Sequence, residues 1–209
     1  MTIIMGLTII LVVLAFLFYK YIRKLNKYLY LFAVVIGFIS YLQEITIINL
    51  GYVGLSFFLI VMFMGVLEKS EIKKRLMGVR AEYAILGTIF SIVHGLKFLV
   101  FSIDFYFFWE APINFYLGII AIIICLPLFI TSFMWIRKKI KGKSWKKLHQ
   151  FSYLFYLLIA LHLILITNQR MWYYIAIFSL YFLLKVIMIY QKAHAKPTET
   201  TLKSKPNPV

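Results

Sequence analysis

Four histidines hold most of the chemistry this sequence offers. His94, His149 and His162 lie within long apolar runs, and His194 lies in a polar tail. Ionisable side chains at membrane depth are rare and mark a functional site by default. Their spacing adds to this. His162 follows His149 by 13 residues, about 20 Å along a helix at 1.5 Å per residue. His94 follows Arg80 by 14 residues, about 21 Å by the same rise. Two parallel helices carrying these pairs present two layers, Arg80 with His149 at one edge and His94 with His162 deeper. Two opposed imidazoles at one depth suit the axial positions of a b-type haem iron. The azimuths agree less well. At about 100° per residue, 14 residues return to within about 40° of the same face, whereas 13 leave the side chains about 140° apart. Either the second helix is bulged or kinked, or its two histidines address different azimuths.

Other chemistries fit the residues poorly. A zinc site calls for three or four converging ligands, commonly with a carboxylate or cysteine among them. Here Glu44, Glu68, Glu71, Glu82, Asp104 and Glu110 fall near run ends or in loops. The single cysteine, Cys125, excludes an intramolecular disulfide and a C-x-x-C pair. No partner carboxylate lies at the right depth for a Ser/His/Asp arrangement, and neither a P-loop nor a G-x-G-x-x-G fingerprint occurs.

The elements that carry the histidines follow from composition. Of 209 residues, 63% are apolar or aromatic and 14% charged, against about 45–50% and about 25% in a soluble domain. Mean hydropathy is +0.91. Such a chain belongs in a bilayer. Apolar runs at 2–19, 28–49, 52–67, 81–103, 112–136, 147–167 and 171–190 are candidate spans, the third being the shortest. The expected fold is an all-α polytopic transmembrane bundle of about seven helices. We divide it into N-terminal transmembrane helices (1–67), a haem-binding core (68–190) and a disordered tail (191–209).

A net charge of +16 suggests nucleic acid until the charges are located. All but two of the 23 basic residues fall at one side if seven helices alternate; Lys97 and Arg170 are the exceptions. By the positive-inside rule that side is cytoplasmic, so the N-terminus is outside and the C-terminus inside. The aromatic groups 106–109 and 172–174 then lie at the outer interface. MTIIMG lacks a basic n-region, so the first run reads as a retained helix rather than a cleaved signal. Membrane lipid is the surrounding partner, and nucleic acid is not expected.

The stretches GVRAEYAILGTIFSIVHGLKFLV (78–100) and LPLFITSFMWIRKKIKGKSWKKLHQFSYLFYLLIALHLIL (126–165) carry a family resemblance. They resemble the ferric reductase-like transmembrane domain, in particular its MsrQ-type haem-bearing subunits of bacterial methionine sulfoxide reductase systems. The phrase formed by Gly142, Lys143, Trp145, Leu148 and His149, with His162 thirteen residues on, is the most specific part. The resemblance spans roughly 70–190, and the family core has six helices, leaving the first as an extra. It implies electron transfer across a bacterial inner membrane through one or two b-type haems. His94 and His162 match the outer ligands and His149 the inner one. Arg80 stands where related oxidases carry the second inner histidine. A guanidinium stays charged and makes a poor ligand, so Arg80 fits a propionate better. Lys97, one turn beyond His94, either neutralises an outer propionate or snorkels to the interface. Trp145 and Tyr153 are placed to pack on an inner cofactor, an interfacial anchor being the other reading of Trp145, and Gly87 and Gly95 to admit a macrocycle or a helix. Gln43 and Glu44 either border a quinone or proton path or are interface polarity.

The resemblance further implies partners. The donor is a cytoplasmic flavoprotein reductase, bringing FMN, or a membrane quinol. The acceptor is an extracytoplasmic redox protein of methionine sulfoxide reductase type, ferric iron or oxygen. Without a flavin or nicotinamide domain of its own, the chain is expected to act as an oxidoreductase subunit. A transporter relaying protons through its histidines is the alternative, weakened by acids that sit at the run edges.

Overall fold

A computed structural model describes residues 2–105, 110–166 and 169–194. Among these the chain is helical with short turns. Five helical stretches are long and apolar enough to cross a membrane: Thr2–Lys24, Arg80–Ile103, Ile113–Ile130, Gly142–Ile166 and Met171–Gln191. The aromatic group 106–109 lies outside the described residues, as does the tail from 195. The final helix itself runs Met171–His194, so its end passes the boundary drawn at 190.

The two remaining apolar runs behave differently. α2 (Asn26–Gln43) follows α1 (Thr2–Lys24) almost at once and ends on Glu44, whose φ of 56° is left-handed. The run expected at 28–49 is therefore broken, and its last residues form a separate turn of helix, α3 (Thr46–Asn49). The run at 52–67 yields only the 13-residue α4 (Tyr52–Met64), about 20 Å long. Nearly every residue from Gly54 to Met64 is buried. An apolar surface on all sides suits a helix enclosed by others. Leu55, Phe58, Leu59 and Met62 face one core; Phe57, Ile60, Val61 and Met64 face the other. α4 is the post on which both halves of the bundle pack.

One half comprises α1, α2, α3, α5 (Glu71–Gly78) and α6 (Arg80–Phe105). α1 is tied in by the Tyr83 hydroxyl on the Leu11 carbonyl (2.7 Å) and the Arg75 guanidinium on the Phe16 carbonyl (3.1 Å). The other half comprises α7 (Ile113–Ile130), α10 (Phe151–Ile166) and α11 (Met171–His194). Short helices α8 (Met134–Arg137) and α9 (Gly142–Leu148) join α7 to α10 through the basic segment. α7 packs along α10, and α6 packs on α4, α2 and α7.

The azimuth question is answered by a break. His149 and Gln150 form a turn between α9 and α10, and Ser152 and Tyr153 donate to carbonyls three residues back. A tightened turn of this kind resets the face on which later residues emerge.

Candidate functional site: an imidazole pair between α6 and α10

His94 on α6 and His162 on α10 meet with ring centroids 6.3 Å apart and planes at 78°. Each is held from behind by a backbone carbonyl. His94 Nδ1–H donates to the Asn49 carbonyl at 2.7 Å, and His162 Nδ1–H donates to the Asn114 carbonyl at 2.6 Å. A carbonyl oxygen only accepts, so both Nδ1 atoms carry the proton. In the neutral ring the Nε2 lone pair is then free for a metal, the arrangement metal-binding histidines commonly use.

Local structure explains both anchors. Asn49 ends α3, where the last carbonyls have no intrahelical donor. Its side chain pins the turn: Ser40 Oγ donates to Asn49 Oδ1 (2.9 Å), and Asn49 Nδ2 donates to the Ser40 carbonyl (3.2 Å). Ser40 is fully buried. Gly51, with φ of 75°, lies against His94; a Cβ there would come within 3.2 Å of the ring. Gly118 follows Asn114 by one turn of α7, and a Cβ on it would sit 3.0 Å from His162 Cε1. Glycine at 118 is what lets the imidazole reach the helix backbone.

The pair opens on a cavity of about 410 Å³, within the range of small-molecule and cofactor sites, about 300–1,000 Å³. Thr88, Ser91 and Cys125 line it, with Arg170, Tyr52 and Tyr174 among the other walls. Gly95 also lines it while packing on α7, since a Cβ there would clash with Ile122 Cδ1. Gly87 serves the contact with α4, facing Phe57 and Gly54.

The remaining predicted residues separate into two groups. Lys97 pairs with Glu44 at 2.7 Å and lies 5.6 Å from the Tyr41 ring centre. This pair borders a neighbouring pocket rather than the histidine cavity. The Lys97 ammonium holds the exposed Glu44 carboxyl below its ordinary range. The cation at the histidine cavity is Arg170, which donates to the Tyr52 hydroxyl at 3.1 Å. Its sequence signal was present: it is one of only two basic residues away from the basic side. At the opposite end, His149 Nε2 lies 3.1 Å from Thr131 Oγ1, and the Trp145 ring lies 4.1 Å from the His149 ring. Arg80 and Arg137 are the charges acting on His149. Lys185 lies 5.0 Å over the Tyr153 ring. His194 caps its own helix end, bonded to the Tyr190 carbonyl at 2.9 Å.

Residues 50–160, more than half of the chain, match the family described as ferric reductase like transmembrane component. The chain belongs to this family. The match covers α4, His94 and His149 and stops two residues before His162. Membership makes the chain a ferric reductase-like membrane protein, of a family associated with transmembrane electron transfer. An uncharacterized protein of Treponema pallidum is 31% identical over 150 residues, covering 62% of this chain and 41% of that protein. The magnetosome proteins MamZ of Paramagnetospirillum magneticum and Magnetospirillum gryphiswaldense are each 44% identical over 54 residues, 26% of this chain and 8% of theirs. The chain thus spans less than half the length of these relatives. No solved structure is significantly similar to it.

The donor set of this ferric reductase-like chain can be tested against the haem that the family generally binds. Two nitrogens at about 2 Å on opposite sides of one metal place the imidazole centroids about 6.4 Å apart. The observed 6.3 Å fits. Among the described residues no group of three or more His, Cys, Asp and Glu side chains could hold a bare ion. A pair of neutral imidazoles suits a metal whose other ligands come from a macrocycle.

Proposed function

We propose that the chain carries electrons through a b-type haem held between His94 and His162, across a bacterial inner membrane. One observation carries the reading: both imidazoles are locked by carbonyls on Nδ1, leaving Nε2 free, with the rings 6.3 Å apart by centroid. The haem would supply a one-electron centre. The chain's own residues do the rest. Asn49 and Asn114 orient the imidazoles and raise their basicity as ligands. Arg170, at the cavity wall, would pair an acidic substituent of the cofactor. The surrounding apolar helices keep water from the redox centre, and that exclusion tunes its potential.

The charge distribution supports an orientation with the basic segments in the cytoplasm and the His94–His162 layer toward the outside. Electrons would come from a cytoplasmic flavoprotein reductase or a membrane quinol and leave to an outer acceptor. The resemblance to MsrQ-type subunits supports a methionine sulfoxide reductase in that outer role.

Absorption spectra of the purified protein, oxidised and dithionite-reduced, test the reading. A Soret band with sharp reduced α and β bands is expected, lost on His94→Ala or His162→Ala. A colourless preparation from haem-replete cells would sink it.

A further inference from the structure

We infer that His149 belongs to a structural clamp rather than to a second haem site, so that the chain holds one haem. The inference rests on the proposed haem at His94 and His162, and it comes from which ring nitrogens are already engaged.

The two outer histidines place their protons on Nδ1 and keep Nε2 bare. At His149 the engaged nitrogen is Nε2, 3.1 Å from Thr131 Oγ1. A threonine hydroxyl has one proton to give. Thr131 Oγ1 also reaches the Pro127 carbonyl at 2.7 Å and the Leu128 carbonyl at 3.3 Å. Whichever of the two supplies the proton, His149 Nε2 is engaged by this hydroxyl rather than bare. Trp145 lies against the ring at 4.1 Å, tilted by 31°. The residue level with His149 on α6 is Arg80, whose guanidinium stays charged and offers no lone pair. The bare Nε2 that makes the outer pair fit is found at neither position.

The same contacts show what His149 does instead. Trp145 Nε1 donates to the Thr131 carbonyl at 3.2 Å, so a side chain of α9 and one of the turn after it converge on one residue at the end of α7. The Arg137 guanidinium lies 4.4 Å from the Trp145 ring centre, extending the stack toward the basic segment. Ser152 Oγ takes the His149 carbonyl at 2.7 Å, where the break leaves it without a regular helical donor. Together they fasten the segment carrying Arg137, Lys138, Lys139 and Lys141 to the bundle. With one haem, protein alone bridges about 20 Å between the level of His149 and that of His162. This favours a donor that dissolves in the bilayer over one that stays in water.

Haem content per chain, from a pyridine haemochrome assay against amino-acid analysis of protein from haem-replete cells, decides the number. About one is expected. Two overturns the clamp while leaving the outer haem standing; none overturns both. His149→Ala and Thr131→Val should each retain the wild-type haem content and Soret position, and loss of half the haem would refute the inference. In proteoliposomes or detergent, both variants should be cut by trypsin within 137–147 several-fold faster than wild type. Equal cleavage rates would refute the clamp.

Discussion

His94 and His162 meet at 6.3 Å although α6 and α10, which carry them, are not packed along one another. α4 and α7 lie between those helices and contribute the backbone around the site: Gly51 precedes α4, and Asn114 and Gly118 are on α7. The site is a gap maintained by its neighbours, which is where a flat cofactor would go.

The glycines behind the rings are the sharpest test of that geometry. Gly118→Ala would place a Cβ 3.0–3.1 Å from His162 Cε1 and Nδ1, forcing the ring off Asn114. Haem content should fall severalfold while circular dichroism still reports wild-type helicity. Gly142→Ala is the control, since a Cβ there meets nothing within 4 Å. Equal haem content in both variants would refute the tight-approach argument.

Ser40 should act on the site through Asn49. Ser40→Ala leaves the Asn49 Oδ1 atom without its hydroxyl donor in a buried setting. Such a loss costs about 1–3 kcal/mol. Unfolding in detergent should register that cost. The haem spectrum should also broaden, because the Asn49 carbonyl that holds His94 rides on the loosened turn. A wild-type spectrum with lowered stability would confine Ser40 to folding.

Arg170 and Lys97 should differ in their effect on the redox centre. Removing a cation near a haem favours the more positive, oxidised form, so Arg170→Gln should make the reduction potential more negative. Lys97→Gln should shift it less, because the Glu44 carboxylate already offsets Lys97 at 2.7 Å. Potentiometric titration of the two variants compares them directly. The larger shift in Lys97→Gln would reverse the assignment.

The Glu44–Lys97 pair also predicts a pH dependence. Lys97 lowers the Glu44 pKa, so the pair stabilises the fold above the ordinary carboxylate range. That contribution is lost as pH falls through the lowered folded value. Glu44 is exposed, so the effect is small and screened by salt. The thermal midpoint of Glu44→Gln should lie slightly below wild type at neutral pH and low salt. The difference should vanish in strong acid or high salt. A gap that persists in both would point to packing rather than charge.

Much of this fold was legible because bilayer insertion leaves strong linear marks. Runs of apolar residues, basic segments between them and three histidines within those runs required no tertiary knowledge. α4 shows where linear reading stops. Its run resembled a short span, whereas its burial on every side comes from helices distant in sequence. Lys97 shows the same limit. Its position one turn beyond His94 allowed either role, and its partner Glu44, 53 residues away, leaves no mark in the local sequence.

The sequence by itself determined the membrane class, the asymmetry of charge and the apolar runs that carry the histidines, because hydropathy is a local property. Only the tertiary structure decided which ring nitrogens are free. Hydrogen bonds from His94 to Asn49 and from His162 to Asn114 join residues 45 and 48 apart. The contact of His149 with Thr131 depends on a break in the helix path. Proton placement on an imidazole is set by the partner across space, and spacing along the chain carries no record of it.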